Sequence, residues 1–483
     1  MDDDCSDGFE RSSSWRRRSI KTTEVTAYDV VSLKNQNTEP KKVWVEMLHG
    51  LEYLLLMKNK KLKIAWSIFV GIAVLVSIYL TFVTVGDLIE NKTVTLNTIR
   101  RSNKLLYHGI TICPKYSDTF NYTNVKKKFL EIRDNLDNKT VNDLIIYTIA
   151  GGGFDNYNRL LTNLSDIRMN YIDDIFKDVV KYFGDIKNLY KFIFEDENFK
   201  CEDFFEECSA SDDVLDCCKM FQPAYVLIRG RCYKMKKFYQ VAPDEWNKLR
   251  LTLKALPSAF VDKNEFQEQI VIYNSPKTDG MTLYPRYYIY GRDWNRFKFT
   301  KQTYKIFYNQ GNCNNDKNYE GIGVCYVNEW IKQKIHEKYN CTLFYLDNSN
   351  NNRSICSPKI IINNYNEIME GKLEKVKCNQ ACTREEVKVS LVTRPYSYTL
   401  AGKQGIGDSR IHIEMSYERL QEYIYRDVLI TTVNGFISEL GGHTGLFVGF
   451  TIVSVIQFFY IIFEYIFKEF SKMEIKNTDG IKL

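Results

Sequence analysis

Residues Ile64 to Val85 read IAWSIFVGIAVLVSIYLTFVTV, a run of 22 residues without a charged side chain. At about 1.5 Å of rise per residue, a helix of this length would cross a hydrocarbon core of roughly 30 Å. A second uncharged run, TGLFVGFTIVSVIQFFYIIF, extends from Thr444 to Phe463 and is just long enough to do the same. The two runs predict two membrane spans, against the alternative of two buried core helices.

Charged residues around the first run predict its orientation. Asp87 and Glu90 follow the run, whereas four lysines lie immediately before it: Lys58, Lys60, Lys61 and Lys63. Cytoplasmic flanks of membrane spans carry an excess of Lys and Arg, so we expect the N-terminus in the cytosol. The first sixty residues contain no apolar stretch of the kind that a cleavable signal peptide needs. Two spans would return the C-terminus to the cytosol and leave residues 86–443 outside.

Two further features of residues 86–443 agree with an extracellular location. Twelve of the 13 cysteines lie there, with Cys5 as the exception, and an even set in an oxidising compartment predicts six disulfides. The five histidines are scattered, and a zinc site would need paired ligands at short spacing, so we expect no metal or cofactor. Six Asn-X-Ser/Thr glycosylation acceptors also lie there: Asn91, Asn121, Asn138, Asn163, Asn340 and Asn352.

Composition and periodicity place the outer segment in the α+β class. The net charge of +6, from 66 basic and 60 acidic residues, is too small to indicate a nucleic-acid partner. Helical periodicity is present in Val125–Asn135, Ile172–Phe183 and Val327–Tyr339. Strand-like alternation is present in Val387–Thr393 and Ser409–Met415, and the Asn-rich stretch Asn348–Asn352 predicts a loop. Residues 1 to about 40 are polar, without apolar periodicity, and are expected to be disordered.

The segment from Phe436 to Thr451 reads FISELGGHTGLFVGFT and combines a Gly-Gly pair, a Gly-Leu-Phe run and a Gly-X-Thr triplet. With five shorter motifs in the same order, it resembles the degenerin / epithelial sodium channel / acid-sensing ion channel family. The resemblance covers residues 43 to 467. The shorter motifs are His49-Gly50, Trp66, Gly109-Ile110-Thr111-Ile112-Cys113, Gly230-Arg231-Cys232-Tyr233 and Met415-Ser416-Tyr417-Glu418.

This resemblance implies a subunit of a trimeric, amiloride-sensitive sodium-type cation channel in the plasma membrane. It would be gated through its ectodomain rather than by voltage, would conduct sodium and other monovalent cations, and would form a homo- or hetero-trimer with related subunits. Two transmembrane helices would flank a large, disulfide-rich, mixed α/β ectodomain. The expected segments are 1–63 in the cytosol with a re-entrant His-Gly segment, 64–85 as helix 1, 86–443 outside, 444–467 as the pore-lining helix 2, and 468–483 in the cytosol.

The resemblance also assigns roles near the second span. Gly449, Phe450 and Thr451 would form the selectivity filter, although the family has a small middle residue and Ser in third place. Gly445 would contact amiloride-like blockers, and Glu464 would carry a pore charge at the inner end. Small glycines suit close helix packing and a non-helical backbone that exposes carbonyl groups to a pore.

Gating is assigned to three residues, namely His49, Gly50 and Ser438, of which Ser438 is the small-residue position before the second span. The outer histidines are far apart in the sequence, so the pattern does not favour proton sensing. Four disulfides are implied by resemblance: Cys113–Cys232, Cys313–Cys382, Cys325–Cys378 and Cys341–Cys356. The remaining outer cysteines would make two more bonds, in a connectivity that stays open: Cys201, Cys208, Cys217 and Cys218.

Three other classes fit parts of the pattern. An ATP-gated trimeric channel also has two spans, but it would need outer Lys and Arg clustered after the first. A two-span ectonucleotidase would need a Gly-rich phosphate loop, and the nearest candidate, Gly151–Gly153, has no Lys-Ser/Thr partner, so we do not expect an enzyme. A non-conducting accessory subunit or mechanical tether of the same family stays open, because Phe450, Gln457 and Tyr460 depart from the family pattern.

Overall fold

The structure, a computed structural model, describes residues 54, 57–161, 164–211, 213–261, 266–274, 285–291, 293–308, 312–346, 353–370, 372–395 and 410–478. These residues form two compact units, which we call the terminal unit (residues 1–92 and 430–483) and the central unit (Thr93–Leu429). Several predicted features lie outside the described residues: His49, Gly50, Asn163, the loop Asn348–Asn352 and the N-terminal 40 residues.

The described α-helices are, in chain order, α1 (Lys60–Ile89), α2 (Tyr122–Ile132), α3 (Asn138–Gly151), α4 (Asn158–Leu161), α5 (Asp166–Phe183), α6 (Ile186–Lys191), α7 (Cys201–Phe204), α8 (Cys217–Met220), α9 (Ile322–Ile331), α10 (Glu337–Tyr339), α11 (Pro358–Asn363), α12 (Tyr365–Glu370), α13 (Val433–Val448) and α14 (Ile452–Thr478). Two π-helical turns occur at Phe192–Asp196 and Lys332–His336, and two 3₁₀ turns at Asp244–Asn247 and Phe344–Leu346.

The described strands are β1 (Thr93–Arg101), β2 (Leu105–Leu106), β3 (Ile110–Pro114), β4 (Phe205–Ala210), β5 (Asp213–Leu215), β6 (Phe221–Val226), β7 (Gly230–Met235), β8 (Tyr239–Gln240), β9 (Leu249–Leu253), β10 (Gln269–Asn274), β11 (Arg286–Tyr290), β12 (Asp293–Lys305), β13 (Cys341–Thr342), β14 (Ser354–Ile355), β15 (Thr383–Pro395) and β16 (Ile411–Leu429). Each helix and strand predicted for the outer segment overlaps an observed one, although α2 ends at Ile132, before the predicted end at Asn135, and β16 begins at Ile411.

Two sheets share one core in the central unit. One has the strand order β15-β12-β16-β9-β4-β5, with β1 added on β16, and the other has the order β11-β10-β3-β7-β6. Alternate residues of each strand point to opposite faces, so β9 buries Leu249, Leu251 and Leu253. They pack with Ile112 and Ile272 from the other sheet in a single apolar cluster. The alternating sequence pattern thus places one face of each sheet in a common core.

Helices α2, α3, α5 and α6 surround a second core in the central unit, rich in aromatic side chains. The hydroxyl of Tyr147 donates a hydrogen bond to Asp173 Oδ1 at 2.7 Å inside this core. Burial, and then this carboxylate, raise the pKa of the Tyr147 phenol. Helix α3 ends against α11, where a Cβ added at Gly151 would lie 2.4 Å from Pro358 Cβ. The Gly151–Gly153 run is therefore explained by close packing and by the positive φ of 73° at Gly153.

Six disulfides join the twelve outer cysteines of the central unit. Four have the pairings that the resemblance implies: Cys113–Cys232, Cys313–Cys382, Cys325–Cys378 and Cys341–Cys356. The two that the sequence left open are Cys201–Cys218 and Cys208–Cys217. The mixed α/β ectodomain with six disulfides is thus confirmed.

In the terminal unit, α1 contains 30 residues and is apolar enough to cross a membrane by itself. Its N-cap residue is Asn59, whose side-chain oxygen accepts a hydrogen bond from Lys61 N at 3.1 Å. Helices α13 and α14 are long and apolar enough to cross a membrane only when they are taken together. They are bent by 83° at their junction. The break lies inside residues 444–467, which the sequence predicts as the second, pore-lining helix, so this segment contains parts of two helices rather than one continuous helix.

Candidate functional site

The candidate site begins with α13. The hydroxyl of Thr432 caps this helix by accepting a hydrogen bond from Gly435 N at 3.0 Å. Ser438 lies exposed on the second turn of the helix. Among the described residues, a Cβ added at Gly441 or Gly442 would meet no atom within 4 Å. The small residues therefore leave open helix surface on which a second helix could pack closely.

Helix α1 packs beside α13 within the terminal unit. Ser77 of α1 is buried, and its hydroxyl donates a hydrogen bond to the backbone oxygen of His443 at 3.4 Å. A serine hydroxyl inside an apolar helix needs such an acceptor, because hydrocarbon offers none. Ser77 was not among the residues predicted from the sequence, where its signal is a hydroxyl residue inside an otherwise apolar run.

The helix ends at Gly449, the first residue of the predicted selectivity triplet. Gly449 has a φ of 71° and a ψ of 17°, in the left-handed region, where glycine carries no Cβ penalty. Its N–H donates to the oxygen of Gly445 at 3.2 Å, and the N–H of Phe450 donates to the oxygen of Thr444 at 3.1 Å. This pattern closes α13 at the triplet and redirects the chain.

Thr451 starts the next helix. Its hydroxyl oxygen accepts a hydrogen bond from Ser454 N at 3.4 Å, and Ser454 Oγ accepts one from Thr451 N at 3.4 Å. The backbone oxygen of Thr451 also accepts the first hydrogen bond of α14, from Val455 N at 3.2 Å. Threonine is a favoured N-cap residue, so the third residue of the triplet stabilises the restart of the helix. Ser454 was not among the residues predicted from the sequence; its signal there is its position three residues after Thr451, where its N–H can reach the Thr451 hydroxyl.

The structure therefore brings Gly449, Phe450 and Thr451 together as a three-residue, non-helical turn between two helices. The other assigned positions lie on either side of it. Gly445 is half-buried one turn before the break, and Glu464 is exposed on α14. Gly445 and Glu464 therefore lie on two differently directed helices, bent by 83° at their junction.

Comparison with known proteins identifies the family. The family model described as amiloride-sensitive sodium channel matches residues 47–461, which is most of the chain. The chain belongs to the amiloride-sensitive sodium channel family. Members of this family are membrane-embedded ion channels. No curated protein matches the chain.

Among solved structures, this family member matches the cryo-EM structure of a proton-activated chloride channel, with 6% sequence identity. The match covers 82% of this chain and 96% of that chain, and its TM-score is 0.30. A TM-score this low does not establish a shared fold.

In this member of the amiloride-sensitive sodium channel family, three charged side chains interact at the C-terminal end of α1. Lys92 Nζ lies 2.6 Å from Asp87 Oδ1 and 3.4 Å from Glu90 Oε2. The hydrogen bond to Asp87 is the main reason why the pKa of the Lys92 ammonium is raised. The backbone oxygen of Lys92 accepts a hydrogen bond from Ile430 N at 2.9 Å. This bond joins the segment that follows α1 to the segment that precedes α13.

Four of the six glycosylation acceptors lie among the described residues. Asn91, Asn121, Asn138 and Asn340 are all exposed. Asn91 and Asn340 have φ values of 50° and 48° and so occupy tight turns. An exposed side chain leaves room for a glycan, and glycosylation at these four positions stays a prediction.

Proposed function

We propose that this chain is a pore-forming subunit of a trimeric, sodium-type cation channel of the plasma membrane, gated through its ectodomain. The observation that supports this proposal best is the break at Gly449–Thr451 inside the second apolar segment. An interruption of helical hydrogen bonding is unfavourable in a lipid-exposed helix. Each unsatisfied backbone group in hydrocarbon costs on the order of several kcal/mol. Non-helical backbone at membrane depth is tolerated where it lines a water-filled path.

The topology belongs to the same proposal. Helix α1 would cross the membrane outward, and α13 with α14 would form the second, bent crossing, so both termini would be cytosolic. The excess of lysine before α1 and the six disulfides of the central unit agree with this arrangement. The other segments keep the locations expected from the sequence, but the second crossing now begins with α13, before residue 444, and the pore turn lies at Gly449–Thr451.

The ion-selective role is assigned to the turn itself. Thr451 keeps the hydroxyl that the family carries in third place, but the hydroxyl oxygen also caps α14. Phe450 is 38% exposed in the single chain, so its ring is not fixed in a packed core. We propose that backbone oxygens of this turn line the narrow path, and that Glu464 adds an acidic ring further along α14.

The direct test is current from cells that express only this chain. We expect an inward current that is carried by sodium and disappears when sodium is replaced by a large organic cation. The Ser438→Phe variant should be measured in parallel, because its gate is expected to be open without a stimulus. Cross-linking in a mild detergent should give trimers. If both the wild type and the Ser438→Phe variant form trimers at the cell surface but carry no current, the result would instead support the accessory-subunit function.

Amiloride-like cations are expected to block this current from outside, and Gly445→Cys is expected to weaken the block. Gly445 lies one turn before the pore turn, so a side chain there would occupy space that a blocker needs. We expect the half-blocking concentration to rise about tenfold, which corresponds to ~1.4 kcal/mol of lost binding free energy.

The matched control for this prediction is Gly441→Cys, which adds the same side chain one turn earlier on open helix surface. It is expected to leave the half-blocking concentration unchanged. Equal block of the wild type and of the Gly445→Cys channel would show that Gly445 does not contact the blocker.

A further inference from the structure

A short turn on the surface of the central unit presents a tryptophan to solvent. Trp246 lies in the 3₁₀ turn Asp244–Asn247, between β8 and β9, and it is 80% exposed. Two valines on neighbouring segments are also exposed, Val241 at 61% and Val214 of β5 at 78%. We call these three residues the tryptophan patch. Exposed apolar side chains that are grouped in this way mark interaction surfaces, whereas single ones need no explanation.

Side-chain hydrogen bonds bring the three members of the tryptophan patch together. Asn247, the residue after Trp246, accepts a hydrogen bond from the backbone N of Val241 at 2.9 Å through its Oδ1. Its Nδ2 donates to Ser211 Oγ at 3.0 Å, and the Ser211 hydroxyl donates to the backbone oxygen of Trp246. Ser211 lies in the connection between β4 and β5, close to Val214. Three separate segments of the chain therefore meet at one point of the surface.

Ion pairs hold the turn that carries Trp246. Arg296 of β12 is hydrogen-bonded to both acidic residues of the turn, to Asp244 at 2.6 Å and to Glu245. Lys248 Nζ lies 2.7 Å from Glu245 and 2.9 Å from Glu414 of β16. The hydrogen bond from Lys248 is the main cause that lowers the pKa of Glu245, so this carboxylate stays charged. Both cationic side chains are 11% exposed, so salt screens these pairs less than it screens pairs on open surface.

Two residues of this arrangement have a backbone conformation that side chains rarely adopt. Asp244 has a φ of 42°, and Ser211 has a φ of 56°. Such conformations cost free energy and persist where the surrounding contacts over-determine them, often at functional sites. Asp244 is held in this way by Arg296 and by Ser416 Oγ, which donates to Asp244 Oδ1 at 2.9 Å. The turn is therefore a rigid support for Trp246, and a rigid support lowers the entropy that binding costs.

The tryptophan patch lies on the face of the large sheet that is opposite to the core. Phe297 of β12 and Met415 of β16 are buried in the core. Successive side chains of a strand point to opposite faces, so Arg296 and Ser416 point away from the core, where they bind Asp244. No apolar cluster of the described residues includes any member of the tryptophan patch. The described part of the chain therefore provides no apolar cover for it.

Three observations favour a second copy of this chain as the partner that covers the patch. Members of this family form oligomers, so a neighbouring subunit is present. Only residues 90–92 separate β1 of the same sheet from α1, and only residues 430–432 separate β16 from α13. The proposed function places these two helices where subunits meet around a pore. Residues 164–339, which contain the whole patch, have no Asn-X-Ser/Thr acceptor, so no N-linked glycan would obstruct a neighbouring copy.

We propose that the tryptophan patch docks on a neighbouring copy of this chain, with Trp246 as the anchor of the contact between two central units. Tryptophan is among the residue types that contribute most to binding at protein interfaces. In a closed ring of three chains, each contact joins two different surfaces of the chain, so the patch meets a surface other than itself. This inference rests on the proposed trimer but not on the conduction of ions.

Photo-cross-linking of the full-length protein in a mild detergent tests the contact. The photoreactive residue p-benzoylphenylalanine replaces Trp246 in one variant and Val241 in a second, which keeps the test decisive if the first does not fold. We expect products of two and three chains on a denaturing gel, with the cross-linked peptide outside residues 211–248. The matched control carries the same residue in place of Ile167 on α5, which is 84% exposed and lies four residues after the acceptor Asn163. It should give no product between chains.

A second measurement does not depend on the photoreactive residue. Trp246→Ala should raise the apparent dissociation constant of the trimer, measured by size-exclusion chromatography over a range of protein concentrations, by about tenfold or more. Ile167→Ala should leave it unchanged. An unchanged constant in Trp246→Ala would overturn the role of this residue as an anchor.

The outcomes separate the docking contact from the proposed function. Trimers formed with a lysine-reactive cross-linker, but without products between chains from positions 246 and 241, would overturn the docking and leave the trimer standing. Products with a different protein alone would also overturn it. A chain that stays monomeric with both reagents would refute the proposed trimer together with the docking. Products between copies of a chain that carries no current would support the docking and refute conduction alone.

Discussion

Replacing Ser438 by Phe or Val is expected to produce a constitutive inward current in cells that express only this chain. Ser438 lies on the second turn of α13, before the open glycine surface at Gly441 and Gly442. In a closed trimer, three copies of this helix would pack closely at the small residues. A bulky side chain would overpack that contact at a cost of about 1–3 kcal/mol. This free energy shifts a two-state gate by about 5- to 150-fold towards the open state.

The control for this prediction is Ser438→Ala, which removes the hydroxyl without adding volume and should leave the resting current at the wild-type level. Surface labelling must show equal amounts of each variant, because a change in expression would also change current. An unchanged resting current in Ser438→Phe, at equal surface amount and in a chain shown to conduct, would refute the packing argument.

Removing the disulfide Cys113–Cys232 is expected to destabilise the central unit by about 2–5 kcal/mol and to reduce surface expression. The bond joins β3 to β7 across a sequence separation of 119 residues, and both cysteines are fully buried. They pack with Val271 in a small apolar cluster, so the loss includes packing as well as chain entropy. The double variant Cys113→Ala, Cys232→Ala avoids leaving one buried thiol without its partner. The measurement is the midpoint of thermal unfolding of the purified protein in one detergent.

The matched control is the double variant Cys208→Ala, Cys217→Ala, because that disulfide spans a separation of only 9 residues. In the chain-entropy model, a shorter loop loses less entropy when it is closed. The Cys208–Cys217 bond should therefore stabilise the folded protein by about 2 kcal/mol less than the Cys113–Cys232 bond. The midpoint should therefore fall further in the Cys113→Ala, Cys232→Ala protein. Equal falls would mean that loop length does not decide the contribution of these bonds.

Features that depend on local composition were predictable from the sequence. The uncharged run Ile64–Val85 predicts a long apolar helix because burial in hydrocarbon requires about 20 apolar residues, and α1 is such a helix. Alternation over Val387–Thr393 predicts a strand because successive side chains point to opposite faces, and β15 includes it. The family was also predictable, because its motifs occur in the same order along the chain.

The pairing of the four closely spaced cysteines was not predictable from local composition. Cys201, Cys208, Cys217 and Cys218 lie within one short stretch, where a flexible chain can reach more than one pairing. The turn between β4 and β5 decides the matter, because it brings Cys208 opposite Leu215, close to Cys217. The short helices α7 and α8 then hold Cys201 against Cys218, with 5.7 Å between their Cα atoms.

By itself, the sequence determined the family, the apolar α1 and the class of the central unit, whereas the pore role of Gly449–Thr451 stays a prediction. Only the tertiary structure decided that the second apolar segment bends, since hydropathy is the same for a straight helix and for one broken at Gly449 and recapped by Thr451 and Ser454. Only the tertiary structure also placed His108 against Glu385, because residues 277 positions apart meet through sheet pairing, which no local pattern records. Local interactions select helices and strands, whereas the position of a charge relative to its partners depends on how the strands pair.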